Sequence, residues 1–241
     1  MTGLGTIINV GAILAGGIIG MLIGGALKER FQKMLISVCG LNTIFIGISG
    51  ALEKMLSVDG NKISSGQSMM CIICFVLGSL VGELLNIDSA LDRFGAYLKE
   101  KSGSQKDNSF VNAFVTASLT VCIGAMAIVG SIQDGLMGDY SVLAAKSVLD
   151  FIIVIVITAS LGKGAIFSAI PVGILQGLVT LLSGTIAPLM TENALNSISL
   201  TGSIMIFCVG VNLIREKTFK VANMLPTLVF AVIWTYLPIS L

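Results

Sequence analysis

Residues 151–157 read FIIVIVI, seven side chains without one polar atom, and the chain returns to runs of this kind from end to end. Eight apolar spans can be drawn, roughly 4–26, 34–52, 68–86, 109–131, 140–162, 164–187, 198–214 and 223–240. Each approaches the ~20 residues a helix needs to cross a ~30 Å hydrocarbon layer. A water-soluble domain of 241 residues would carry about a quarter charged residues, whereas this chain has 11% charged and 55% hydrophobic residues. With so few charges it could not cover its apolar surface in water. The expected fold class is therefore all-α, a single transmembrane domain (1–241) built as a polytopic helix bundle of about eight helices. Its parts are helices 1–3 (1–86), a cytoplasmic helix and linker (87–108), central helices 4–5 (109–162) and helices 6–8 (163–241).

The positive residues orient the bundle. Lys28, Arg30 and Lys33 follow the first span, Arg93, Lys99, Lys101 and Lys106 the third, Lys163 the fifth, and Arg215, Lys217 and Lys220 the seventh. The intervening connections hold only Lys54 and Lys62. Cytoplasmic loops are the ones enriched in Lys and Arg, so this alternation predicts both termini outside the cytoplasm. Residues 1–26 lack a basic leader ahead of the apolar stretch, so they read as a first transmembrane helix and not as a cleaved signal.

Small residues mark the helix contacts. Gly16, Gly20 and Gly24 recur every fourth residue in the first span, and Gly78 and Gly82 do so in the third. Such ladders let two backbones approach closely in lipid, and they predict a buried first helix. Cys39, Cys71, Cys74, Cys122 and Cys208 all fall within apolar spans and read as packing residues. In 87–108, Ser89 with Asp92 three residues on fits a helix-capping signal, and Leu91, Phe94 and Leu98 share a face, which predicts an amphipathic helix. The segments GLNTIFIGISGAL (40–52) and GSIMIFCVGVNLI (202–214) resemble each other. They lie in spans of opposite direction, which suggests an inverted repeat of helices 1–3 and 6–8.

The chemistry concentrates where charge enters an apolar span. Lys146, Ser147 and Asp150 fall within one 100° sector of the fifth helix, and a rise of ~1.5 Å per residue puts Asp150 about 15 Å deep. Two readings stand. The pair neutralises itself and locks the fold, or it lines a hydrated path for an ion or small polar solute, as intramembrane ionisable residues commonly do. Asn112, Thr116 and Thr120 form a matching polar row in the fourth span, and Asn9, Asn42, Thr43, Gln176, Thr180 and Asn212 are further polar positions. Gln133, Asp134 and Asp139 occupy a glycine-containing acidic stretch before the fifth helix. Irregular backbone there would suit cation capture, or Asp139 would cap the helix that follows.

The segments INVGAILAGGIIGMLIG, GSIQDGLMGDYSVLAAKSVLD and VANMLPTL resemble the bacterial YqgA/YdfK-type integral membrane family, catalogued as domain of unknown function 554. That resemblance implies a bacterial inner membrane and brings no reaction or site residue with it. The function expected from the residues is a small secondary transporter or channel with Asp150 and Lys146 central to its path; the alternative is a non-catalytic structural or regulatory membrane protein. Asp134, Asp139 and Asp150 raise the further reading of an intramembrane aspartyl hydrolase. The local GLMGD differs from the GxGD pattern of such proteases and no second aspartate lies deep in another span, so no enzymatic activity is expected. The expected partners are the lipid bilayer, a small ion or solute and a second copy in a homodimer, with no nucleic acid, cofactor or metal.

Overall fold

The computed structural model describes residues 2–26, 28–59, 62–215 and 218–237. Among them the elements are α1 Leu4–Ala26, α2 Glu29–Met55, β1 Leu56–Asp59, β2 Lys62–Ser65, α3 Ser68–Leu85, α4 Ile87–Lys101, α5 Phe110–Cys122 and α6 Ala125–Met137. They continue with α7 Ser141–Leu161, α8 Ala169–Leu181, α9 Ser183–Ile186, α10 Glu192–Ile214 and α11 Pro226–Trp234. A 3₁₀ segment, Lys163–Ser168, leads into α8, and another, Val221–Met224, leads into α11. Six helical segments are long and apolar enough to cross a membrane, and α5 with α6 makes a seventh bent by 62°. Val221–Trp234 is a shorter apolar helix. The protein is thus a helical membrane bundle.

Several expectations change at the level of elements. The fourth span is not continuous to 131: it breaks after Cys122 and resumes at Ala125. The residues expected in an irregular acidic turn, Gln133 and Asp134, are helical, and the connection is confined to 138–140. The sixth span is segmented at Leu182, six residues before Pro188. The second span runs on to Met55 and enters an antiparallel hairpin, Leu56 opposite Ser65 and Asp59 opposite Lys62. The amphipathic helix expected within 87–108 starts directly after Asn86, not at a Ser89 cap. Its Leu91 and Leu98 pack on the Phe110 and Phe114 cluster, and Phe94 meets Phe114 edge-on at 5.8 Å between ring centres.

Close helix pairs frame the bundle. A side chain on Gly16 would strike the Phe151 carbonyl, one on Gly20 the Ile155 carbonyl and Thr158, and one on Gly24 the backbone of Ala159. The α1 ladder therefore lies backbone to backbone on α7. Only that face is buried: Ile7, Ile18 and Leu22 are exposed on the other, so α1 is a half-buried helix and not the buried one expected. Gly78 and Gly82 bring α3 against Thr227 and Asn223 in the same way, while Gly47 of α2 abuts Phe207 of α10.

Helix ends gather in two sets. At one end, Gln32 Nε2 donates to the Gly24 carbonyl, Asp107 and Ser109 stand beside Gly162, and Lys220 pairs with Glu83 at 2.6 Å. Asn223 joins that cluster, donating to Glu83 and accepting from the Asp88 backbone N–H at 2.7 Å. Glu83 holds the exposed Lys220 ammonium above the usual lysine range through their hydrogen bond. At the other end the start of α1 meets Asp134, and the Tyr236 hydroxyl donates to the Leu189 carbonyl.

A buried charge relay at a broken helix

The α5–α6 break is set by Gly124, whose φ of 144° is a conformation that side chains disfavour. Ending α5 there leaves its last carbonyls without intrahelical donors. One of them, Val121 O, accepts the Lys146 ammonium at 2.8 Å. Lys146 also pairs with Asp150, one turn along α7, and the same Asp150 Oδ2 accepts the Asn9 amide of α1 at 2.9 Å. Both charged side chains are less than a tenth exposed. The relay thus runs from a helix C-terminus through a cation and a carboxylate to an amide, with the cation at the negative end of the α5 dipole, where it is favoured. Ser147 turns back on its own helix and donates to the Ala144 carbonyl at 2.7 Å.

Asp134 is fully buried on α6 and serves a different helix end. Its two carboxylate oxygens accept the backbone N–H groups of Gly3 at 3.2 Å and Gly5 at 3.0 Å, holding the first turn of α1. Asp134→Ala removes this cap, and the expected loss is about 1–2 kcal/mol. Hydrogen exchange should show it as faster exchange at 3–7 with the α10 amides unchanged; equal exchange in both would exclude the capping role.

Between these two charged points lies a group of buried polar atoms. Gln176 is 1% exposed, and neither its carbonyl nor its amide has a partner among the described residues; the same holds for the hydroxyls of Thr6, Ser131 and Thr180, and for Gln133 Oε1 and Asn9 Oδ1. Gly135 lies on Thr180 and Ser183, and Val10 lies beside Gly173. One helical turn from each contact, these registers bring Ser131 of α6 and Thr6 of α1 toward Gln176 of α8. Buried groups of this kind are normally hydrogen-bonded, so the α1, α6 and α8 interface is polar enough to hold water or a hydrogen-bonding solute.

The remaining sequence-derived positions lie apart. Asn112, Thr116 and Asn212 line a cleft of about 430 Å³ between α4, α5 and α10, together with Asp88, Asp92 and Lys220. Thr116 donates to Asn112 at 3.4 Å, and Thr120 to the Thr116 carbonyl at 2.7 Å. Asn212 staples the chain beyond α10 by donating to Phe219 O and accepting from Phe219 N. Asp139 is exposed; its carboxylate accepts the Ser141 N–H at 3.0 Å, which holds it below the usual aspartate range. Asn42 is exposed on α2, next to Thr43, whose hydroxyl donates to the Cys39 carbonyl at 2.8 Å. The structure therefore brings together Lys146, Asp150 and Asn9, while Gln176 and Thr180 lie on α8, apart from that relay. Sequence reading missed the Val121 carbonyl, because a backbone group freed by a break has no signature beyond the glycine that makes the break.

The family model described as "Protein of unknown function (DUF554)" matches residues 4–236. "Uncharacterized protein YqgA" of Escherichia coli (strain K12) is 29% identical over 232 residues, covering 95% of this chain and 94% of that protein. "Uncharacterized membrane protein YdfK" of Bacillus subtilis (strain 168) is 28% identical over 224 residues, covering 93% of this chain and 92% of that protein. No solved structure matches the chain.

Proposed function

We infer that this chain, which belongs to the DUF554 family, is a small secondary transporter or channel of the bacterial inner membrane that moves an ion or small polar solute. The observation that carries the reading is the discontinuous α5–α6 span with a buried cation and carboxylate at its break. Transporters place their binding sites at broken helices near the midplane, where freed backbone groups and charges meet. The buried polar atoms of α1, α6 and α8 supply a hydrated route from Asp150 toward the Asp134 end, and the α4–α5–α10 cleft a vestibule at the opposite end.

The membrane topology follows from the same features. Counting Lys163–Leu181, the α5–α6 pair and Val221–Trp234 each as one crossing gives eight. Every described cation outside α7 except Lys54 and Lys62 then falls on the Glu83 and Lys220 side, which supports reading that side as cytoplasmic and both termini as outside. An inverted repeat of helices 1–3 and 6–8 equates α1 with α8, α2 with α10 and α3 with α11. Those partners pack on each other at Val10 and Gly173, Gly47 and Phe207, and Gly78 and Thr227. In the resembling segments Gly47 corresponds to Val209, two residues from its contact Phe207.

The second reading, a non-catalytic structural or regulatory protein, is favoured by the completeness of the relay, since Lys146 and Asp150 both have partners within the fold. An enzymatic role has less support, because the two buried aspartates are already engaged, Asp134 with α1 and Asp150 with Lys146. The deciding experiment is thermal unfolding of purified wild type and Asp150→Asn against a panel of cations, anions and small metabolites, followed by liposome flux of any that bind. A true ligand at ~100 times its dissociation constant adds about 2.7 kcal/mol to wild type and little to Asp150→Asn, whose flux is lost. A folded Asp150→Asn that transports like wild type overturns the role of this residue.

A further inference from the structure

We propose that the outward face of α2 is the interface of a parallel two-fold dimer of this chain, centred on Asn42. α2 is the least enclosed of the long apolar helices: 11% of its apolar stretch is buried, against 28–50% in the others. Its inner face, Gly40, Gly47 and Gly50, lies on Ser203, Phe207 and Gly210 of α10. The opposite face carries a heptad pattern. Leu35, Asn42 and Ser49 recur every seventh residue, as do Phe31, Val38, Phe45 and Leu52 three residues further on. Phe31, Val38, Phe45 and Leu52 are 41–63% exposed, and Asn42 and Ser49 are also exposed.

Asn42 is the middle residue of Glu29–Met55. At ~1.5 Å per residue it lies about 20 Å from either helix end, at the centre of the hydrocarbon layer. Its side chain makes no hydrogen bond to any described residue, and lipid tails offer none, so the helix presents a bare amide where an unsatisfied polar group is costly. A second copy supplies what lipid cannot. Both copies insert in the same orientation, so a two-fold axis along the membrane normal sets the two α2 helices parallel and in register, with Asn42 facing Asn42. A carboxamide carries both donors and an acceptor and therefore satisfies itself. Seven-residue spacing with a polar residue at one core position is the pattern that fixes register and strand number in two-helix coiled coils, and polar side chains hold membrane helices together in the same way. The dimer is independent of the transport reading, because α2 touches neither Asp150 nor Gln176 through this face.

The test uses full-length protein in liposomes at low protein-to-lipid ratio, in a Cys39→Ala background that keeps the other four native cysteines and is itself run as a blank, with one cysteine added at Val38, Phe45 or Ser49 and controls at Ile48 and at Val148 of α7. Oxidative cross-linking is expected to give dimers at 38, 45 and 49 and none at the two controls. With donor- and acceptor-labelled chains diluted in lipid, Asn42→Leu is expected to raise the dissociation constant about 3- to 15-fold. Absent cross-links, or cross-links equally strong at Ile48 and Val148, mean that lipid or another protein covers this face and overturn the proposal. An unchanged dissociation constant for a folded Asn42→Leu overturns the role of the amide. If Asn42→Leu does not fold, the cross-linking series, which keeps Asn42, decides alone.

Discussion

Lys146→Met is expected to destabilise the protein by about 3–5 kcal/mol, because it leaves the Asp150 carboxylate buried without its cation. It also strands the Val121 carbonyl, which has no other donor in the relay, at a further cost of about 1–3 kcal/mol. Asp150→Asn is milder, since the new amide oxygen can still accept from Asn9 and Lys146, but it leaves the buried Lys146 ammonium without a countercharge. The double variant Lys146→Met with Asp150→Asn removes both charges, and the expected result is a stability above that of Lys146→Met and below wild type by about the cost of the unpaired carbonyl. A thermodynamic cycle in detergent, using reversible unfolding of the four proteins, gives the coupling directly. Flux measured on the same four separates the two readings of the pair. A lock predicts that the folded double variant behaves as wild type; a path predicts that it is stable and inactive.

The parts legible in the sequence are those set by the solvent. Lipid demands ~20-residue apolar spans, so the long apolar helices could be read from hydropathy alone. The α1 glycine ladder could be read because close approach in lipid selects small residues at four-residue spacing. Lys146 and Asp150 stood out because nothing else charged lies in that run. The break at Gly124 was not legible, because CIGAMAIVG is as apolar as the helices on either side and an interior glycine is common in membrane helices. Missing it displaced the irregular backbone by some ten residues, onto Gln133 to Gly138, where the glycines and acids have other uses: Gly135 admits Ser183, and Asp134 holds the start of α1. The Asp134 contact joins residues 129 and 131 apart in sequence, a long-range pairing that no local pattern encodes.

Gly20→Ala is expected to destabilise the bundle by about 1–3 kcal/mol through overpacking alone, whereas Gly11→Ala on the same helix is expected to be neutral or to stabilise it by up to about 1 kcal/mol. The two substitutions have the same helix propensity, so their difference isolates the contact. A Cβ at Gly20 would lie 2.6 Å from the Ile155 carbonyl oxygen and 2.7 Å from Thr158 Cβ, and neither belongs to a flexible side-chain end. At Gly11 nothing lies within 4 Å. Room at Gly20 can come only from moving α1 away from α7. That motion is resisted at Gly16 and Gly24, which make the same kind of contact one turn to either side, and it lengthens the Asn9 to Asp150 hydrogen bond three turns away. Thermal unfolding of the two variants checks the energy. Dependence of Gly20→Ala stability on Asn9 checks the linkage: if α1 has shifted, Asn9→Ala should cost less in the Gly20→Ala background than in wild type, and strict additivity of the two losses would mean that the strain is absorbed locally.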